Sequence, residues 1–377
     1  MVDTTDAVLA FLAAVLISWA AVPPAERLAR RVGAIDEPGP RSQHQVATPA
    51  MSGVAILAAI EIAGWIWLPS DDQTTAILLG AVAIALVGAL DDVFELPALV
   101  KLGGQIVAAA IPVSAGVHPD ALTIPFIGGF ELGWTAWPLT IFGIVAVTNI
   151  VNLIDGIDGL AAGVVAIAAA AMAVIALSLD RFEAGVLAAI TSGAALGYLR
   201  HGFPPASSFM GDTGSNLLGF MIAVVSIQGA LKTNAVVALA FPLVILALPI
   251  FDTAFVVAKR IKYHQPIYQA DRWHFHHRMA NIGFSQRRTL AYLYGWTLVL
   301  ALLALALRLV PYSDDRGNFD LLWTAVMAVV ILAAIAVTVY LAYVLEIIKG
   351  PRPKDVPQAA PGEAAGDRPD EAPGDAR

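Results

Sequence analysis

Apolar runs long enough to cross a bilayer recur from one end of this chain almost to the other, and they confine it to the integral membrane proteins. A hydrocarbon core about 30 Å thick needs roughly 20 apolar residues in a helix, because no water is present there to satisfy an irregular backbone. Eleven such runs are expected, near residues 7–24, 51–68, 75–90, 102–117, 134–150, 159–179, 184–200, 214–231, 235–258, 289–310 and 321–348. The run at 102–117 is broken by Gly103, Gly104, Pro112 and Gly116. With 58% hydrophobic and only 14% charged residues, the chain lies far from the composition of soluble domains, of which roughly a quarter is charged. The expected fold class is an all-α polytopic membrane protein of about eleven transmembrane helices. One short outer β-hairpin is expected near 121–132, in "HPDALTIPFIGGFELGW", around Gly128-Gly129.

Lysine and arginine divide unevenly between alternate loops. The loops at 25–50, 91–101, 149–158, 200–213 and 259–288, with the tail, carry eighteen, whereas the other set carries four: Arg181, Lys232, Arg308 and Arg316. Positive charge stays on the cytoplasmic side. The N-terminus is therefore expected outside and the C-terminus in the cytoplasm, as an odd number of spans requires. Asp3 and Asp6 precede the first run without any basic residue, so it lacks the n-region of a cleaved signal peptide and reads as a retained helix. From Gly350 onward "GPRPKDVPQAAPGEAAGDRPDEAPGDAR" is rich in Pro, Gly, Ala and charge. Residues 350–377 are expected to be a disordered cytoplasmic tail following a transmembrane domain over 1–349. No cysteine is present, so metal ligands are limited to oxygen and imidazole. No nucleic-acid partner is expected.

Five clusters of Asn, Asp, His and Gly fall on the inferred cytoplasmic side: "RSQHQVATPAMSG", "LDDVFELPALVKLGGQ", "NIVNLIDGIDGLA", "FMGDTGSNLLG" and "DRWHFHHRM". Carboxylates at a membrane boundary are costly and mark function, and five loops on one face suggest one composite site. Asp91 and Asp92 would lie about 100° apart around a helix and so take different roles, although adjacent acids at a helix end are also ordinary surface punctuation. Asn149, Asn152, Asp155 and Asp158 recur every third residue, along one side of a helix, and offer the hard oxygens that suit magnesium. Asp-Gly is also a common turn. "GDTGSN", from Gly211 to Asn216, reads as a helix N-terminus able to receive an anion, with Asp212 reaching a metal or acting as a simple cap.

His274, His276 and His277 share a loop with Arg272, Arg278, Arg287 and Arg288, a wall suited to a diphosphate or sugar phosphate. The H-x-H-H spacing beside Arg278 favours anion contact over a zinc shell, and the loop's basic charge also suits anionic lipid. Asp252 is expected to support the metal-side residues or pair with a base. A secondary transporter also places acids in broken helices, but it predicts acids near the midplane and internal symmetry, neither of which is visible. A membrane scaffold gives no reason to concentrate these residues on one face.

The motifs "LDDVFELPALVKLGGQ", "NIVNLIDGIDGLA", "GDTGSN", "PIFDT" and "DRWHFHHRM", in this order, resemble those of the polyprenyl-phosphate N-acetylhexosamine-1-phosphate transferases. The resemblance covers roughly residues 5–348. It implies transfer of a sugar-1-phosphate from a UDP-sugar donor to a polyprenyl phosphate acceptor in the plasma membrane, with release of UMP. It implies Mg2+, with Mn2+ as a substitute, held by Asn152 and Asp212. Asp91 and Asp92 match the acidic pair near the lipid phosphate, and Asp155 matches an acid inside the catalytic cleft. Asp158 matches a position near the uracil, and Lys101 the lysine after the acidic pair. His274, His276, His277 and Arg278 match the loop over the sugar and diphosphate, and Asn149 and Asn216 are counted with the substrate-binding set. The histidine loop and the eleventh run are more similar to the branch using UDP-N-acetylglucosamine than to the branch using UDP-muramoyl-pentapeptide. One departure is "TPAMSG", with Ser52 and Gly53 where relatives often carry Gly-Gly. A homodimer is implied by the resemblance alone.

Overall fold

The structure, a computed structural model, describes residues 3–37, 47–124, 128–230, 246–262, 279–280, 282–311 and 320–344. In chain order its helices are α1 (Thr4–Val32), α2 (Gly53–Trp67), α3 (Asp72–Phe94), α4 (Ala98–Ser114), α5 (Ala136–Ile154), α6 (Leu160–Ser178), α7 (Phe182–Gly202), α8 (Gly211–Ala230), α9 (Ala247–Lys262), α10 (Gln286–Leu309) and α11 (Leu321–Val344). Strands β1 (Ile35–Asp36) and β2 (Thr48–Pro49) pair near the end of α1, and β3 (Ala121–Ile124) pairs with β4 (Gly128–Glu131).

Among the described residues seven helices are long and apolar enough to cross a membrane: α1, α3, α5, α6, α7, α10 and α11, with α2 and α4 as shorter apolar helices. The all-helical, polytopic class holds, with seven such spans among the described residues where eleven are expected over the whole chain; part of the expected run at 235–258 lies outside the described residues. At about 1.5 Å per residue, the 15 residues of α2 reach less than a hydrocarbon core, and α8 opens with Asp212, Thr213, Ser215 and Asn216 in its first turns. The hairpin also needs correction. Its register pairs Ile124 with Gly128, so Gly128-Gly129 lie within β4 rather than between the strands, and residues 125–127 lie outside the described residues.

α1 begins with a reciprocal cap in which Asp3 Oδ1 accepts from the Asp6 N–H and Asp6 Oδ2 accepts from the Asp3 N–H, each at 2.9 Å. It buries a stripe of Ala7, Ala10, Ala14, Ser18, Val22, Ala25 and Ala29. On α7, Gly193 and Gly197 lie against the α1 backbone at Phe11 and Val15, where a β-carbon would not fit. Small residues let helices approach closely where apolar solvent supplies no hydrophobic drive. The apolar windows of α6 and α7 are each 78% buried against 11% for α11, so α6 and α7 form the centre of the bundle and α11 its perimeter.

Two further close approaches assemble one end of the bundle. A β-carbon on Gly88 of α3 would meet the backbone of Asp212 and Thr213, and one on Gly53 of α2 would meet Gly214. The chain ahead of α2 is stitched to the loop ahead of α8: the Phe209 N–H donates to Pro49 O at 2.8 Å, Ser52 N–H to Phe209 O at 3.0 Å and Gly53 N–H to Met210 O at 2.9 Å. The first turn of α8 is thus gripped by backbone from two sides. Gly88→Ala is expected to push α3 away from α8 and to lower stability by about 1–3 kcal/mol. Thermal unfolding in detergent checks this, and an unshifted midpoint contradicts it.

Candidate active site

At this end α3 and α5 finish while α4 and α8 begin, which brings Asp91, Asp92, Lys101, Asn152 and Asp212 together. Lys101 Nζ lies between two carboxylates, 2.8 Å from Asp91 Oδ2 and paired with Asp212 Oδ2. The other Asp212 oxygen, Oδ1, accepts from Asn152 Nδ2 at 2.8 Å, and the same amide nitrogen donates to Ser215 Oγ at 2.8 Å. Asp212 is the hub of the cluster.

The neighbouring acids turn to different partners. Asp91 accepts the Leu96 N–H at 2.8 Å through Oδ1 and faces Lys101 through Oδ2, bracing the tight turn from α3 into α4. Asp92 reaches α8 instead. Its Oδ1 accepts from the Asp212 N–H at 2.6 Å, and its Oδ2 accepts from the Thr213 N–H at 3.0 Å and from Thr213 Oγ1 at 2.6 Å. The helix N-terminus expected to receive a ligand anion therefore already holds one, the carboxylate of Asp92, for the same reason: unpaired N–H groups and the helix dipole favour negative charge there.

The one-sided series from Asn149 to Asp158 is also corrected. α5 ends at Ile154; the Asp155 N–H closes a tight turn onto Asn152 O at 3.1 Å. Asp158 lies in the following loop, where Oδ2 accepts the Ala206 N–H at 3.0 Å. Gly159 then takes φ +77°, a conformation open to glycine, and its carbonyl accepts from Tyr294 Oη of α10 at 2.6 Å. The Asp-Gly steps end the helix before the spacing can carry all four residues along one face.

Burial, followed by the negative charges of Asp212, Asp92 and Asp158, holds the Asp155 carboxyl well above the usual carboxylate range. A group whose folded pKa is raised binds its proton more tightly when folded. With the charged form penalised at high pH, the metal-free protein gains stability as pH falls through that raised value towards about 4, the unfolded value. In chelator, Asp155→Asn is expected to raise the thermal midpoint at alkaline pH and to flatten its pH dependence. A midpoint that tracks the parent across about pH 5–9 contradicts this.

The donors around Asp212 are carboxylate, amide and hydroxyl oxygens, and Lys101 shows that the cluster draws in positive charge. Among the described residues no three His, Asp or Glu side chains converge as a metal cage. In chemistry the set fits a hard cation, which Asp212 and Asn152 would hold. Asn149 and Asn216 lie one turn deeper and are bonded to Gln105, which was not singled out in the sequence. Its signal was a lone amide four residues after Lys101 in an apolar run. His274, His276, His277 and Arg278 lie outside the described residues. Asp252 is buried on α9.

Fold and site together define a polytopic membrane protein with a cluster of carboxylates around one lysine at one end of the bundle. Residues 74–230, from α3 to α8, match the model of Glycosyl transferase family 4. The chain is 38% identical over 304 residues to a probable undecaprenyl-phosphate N-acetylglucosaminyl 1-phosphate transferase of Bacillus subtilis, covering 80% of this chain and 85% of that protein. It is 33% identical over 333 residues to a decaprenyl-phosphate N-acetylglucosaminephosphotransferase of Mycobacterium tuberculosis, covering 80% and 82%. A phospho-N-acetylmuramoyl-pentapeptide-transferase of Moorella thermoacetica is 29% identical over 305 residues, covering 76% and 93%. The chain belongs to glycosyl transferase family 4, the polyprenyl-phosphate N-acetylhexosamine-1-phosphate transferases.

Proposed function

We infer that this protein transfers N-acetylglucosamine-1-phosphate from UDP-N-acetylglucosamine to a polyprenyl phosphate, releasing UMP and starting a lipid-linked envelope glycan. The observation that carries the reading is the Asp91–Lys101–Asp212–Asn152 cluster within the matched region. The higher identity to the N-acetylglucosamine enzymes than to the muramoyl-pentapeptide enzyme supports the donor.

In the reaction an ionised oxygen of the polyprenyl phosphate attacks the sugar-bearing phosphorus of the donor, and the bond to the bridging oxygen of UMP breaks. A new diphosphate then joins sugar and lipid. Mg2+, or Mn2+ in its place, supplies charge neutralisation at the diphosphate when bound. Asp212 and Asn152 are the residues that would hold it. Asp91 accepts or positions the last proton of the lipid phosphate, and Lys101, held beside Asp91 and Asp212, offers its ammonium to a phosphate oxygen. Asp155 serves the cleft and Asp158 the uracil, and His274, His276, His277 and Arg278 are assigned to binding the sugar and diphosphate by their motif. The bias of Lys and Arg between alternate loops supports a cytoplasmic site and an outer N-terminus. Eleven membrane-embedded helices, with α2 shorter than a full span, a tail over 350–377 and a homodimer complete the proposal.

The test is UMP release by the purified protein in detergent, given undecaprenyl phosphate and UDP-N-acetylglucosamine with and without chelator. Release that chelation abolishes is expected. Release only with the muramoyl-pentapeptide donor moves the protein to the other branch, and no release with either donor overturns the reading.

A further inference from the structure

Beneath the charged layer, one helical turn deeper into the bundle, lies a second layer built from the same three helices. Lys101, Asp212 and Asn152 form the first. Gln105, four residues after Lys101 on α4, Asn216, four after Asp212 on α8, and Asn149, three before Asn152 on α5, form the second. One turn is about 5.4 Å, so each amide stands directly under a charged or amide partner on its own helix.

Gln105 joins the layer. Its Nε2 donates to Asn216 Oδ1 at 3.3 Å and to Asn149 Oδ1 at 3.4 Å, and its Oε1 accepts from Asn149 Nδ2 at 2.7 Å. Asn149 Nδ2 also donates to Val145 O at 2.8 Å. Gln105 is 1% exposed and Asn216 fully buried, so in this conformation neither side chain presents surface to a substrate. A buried amide network costs stability unless it is well satisfied, and here Asn216 Nδ2 has no partner among the described residues. An apolar layer would hold the helices together as well. What the amides add is direction, because hydrogen bonds fix the rotation and height of α4, α5 and α8 relative to one another.

We propose that Gln105 is a positioning residue of the transferase: by bonding Asn149 and Asn216 it sets the register of the three helices that present Lys101, Asn152 and Asp212 to the cation. This rests on the proposed function for its consequence in catalysis, but not for its consequence in cation binding. Substitution of such supporting groups typically weakens metal affinity or activity roughly 10- to 100-fold.

The experiment uses the full chain in detergent, with Mn2+ titrated in the presence of UMP and free ion followed by electron paramagnetic resonance, alongside thermal unfolding. Gln105→Met is expected to weaken Mn2+ binding at least about tenfold and to lower the unfolding midpoint. The triple variant Gln105→Met/Asn149→Leu/Asn216→Leu removes all three amides, which is close to neutral for stability. Its midpoint is expected to recover while Mn2+ binding stays weak. Parent-like Mn2+ binding in the recovered triple variant overturns the proposal, as does a parent protein that binds no Mn2+. Should the methionine variant not fold, Gln105→Asn keeps the amide but retracts it by one methylene. Weaker Mn2+ binding then supports the proposal and unchanged binding overturns it. Failure of the parent to release UMP removes the function while leaving the Mn2+ result to decide the positioning role.

Discussion

Asp212→Asn is expected to lower UMP release by roughly 10²- to 10³-fold, the range seen when one preorganised electrostatic group is lost, with little loss of folded stability. The carboxylate of Asp212 takes Lys101 on one oxygen and Asn152 on the other. An asparagine there keeps the shape but gives up the charge, and a neutral amide is a poorer ligand for a hard dication. Lys101 keeps Asp91 as a partner, so the ammonium is not stranded. Removing one negative charge also relieves Asp155, which the charge of Asp212 already disfavours in its ionised form. The expected result is a folded, nearly inactive protein at every magnesium concentration that supports the parent. Near-parent turnover at ordinary magnesium contradicts the assignment of Asp212 to the cation.

The contrast between what was legible in the sequence and what was not follows from the physics of each signal. Hydropathy reads the lipid environment, and the expected runs at 75–90, 159–179 and 289–310 correspond to α3, α6 and α10 within a few residues. It does not read hydrogen bonding, so α1 runs past its expected end at residue 24, through Pro23 and Pro24, to Val32, where Ala25 and Ala29 remain buried. Polar motifs in an apolar chain pointed to one end of the bundle because unpaired polar groups are costly there. Spacing alone failed in "NIVNLIDGIDGLA", where two Asp-Gly steps end α5 before Asp155 and Asp158 can share its face. It failed again in "GDTGSN", since nothing local says that the anion at the α8 N-terminus is a side chain 120 residues earlier. The role of Gln105 was hidden for the same reason: its partners lie on α5 and α8, 44 and 111 residues away.

Asp92→Ala is expected to destabilise the fold by about 2–4 kcal/mol, the range for losing a helix cap together with charge-assisted hydrogen bonds. Three donors at the start of α8, the N–H groups of Asp212 and Thr213 and the Thr213 hydroxyl, share this one carboxylate. Gly211, at φ +66°, is pressed so closely against Asp92 that a β-carbon there would strike its carboxylate. No larger side chain can replace the anchor from the α8 side, and Asp92→Asn turns an amide N–H₂ towards donors that need an acceptor. Both variants should therefore unfold at lower temperature in detergent and lose turnover because Asp212 is no longer held in place. Asp91→Asn provides the contrast. Its carboxylate faces Lys101 and the Leu96 N–H at the exit of α3, so turnover should fall with a much smaller change in the midpoint. If all three variants unfold at the parent temperature, the two acids do not divide between anchoring α8 and serving the Lys101 cluster; a low midpoint in the Asp92 variants alone establishes that division.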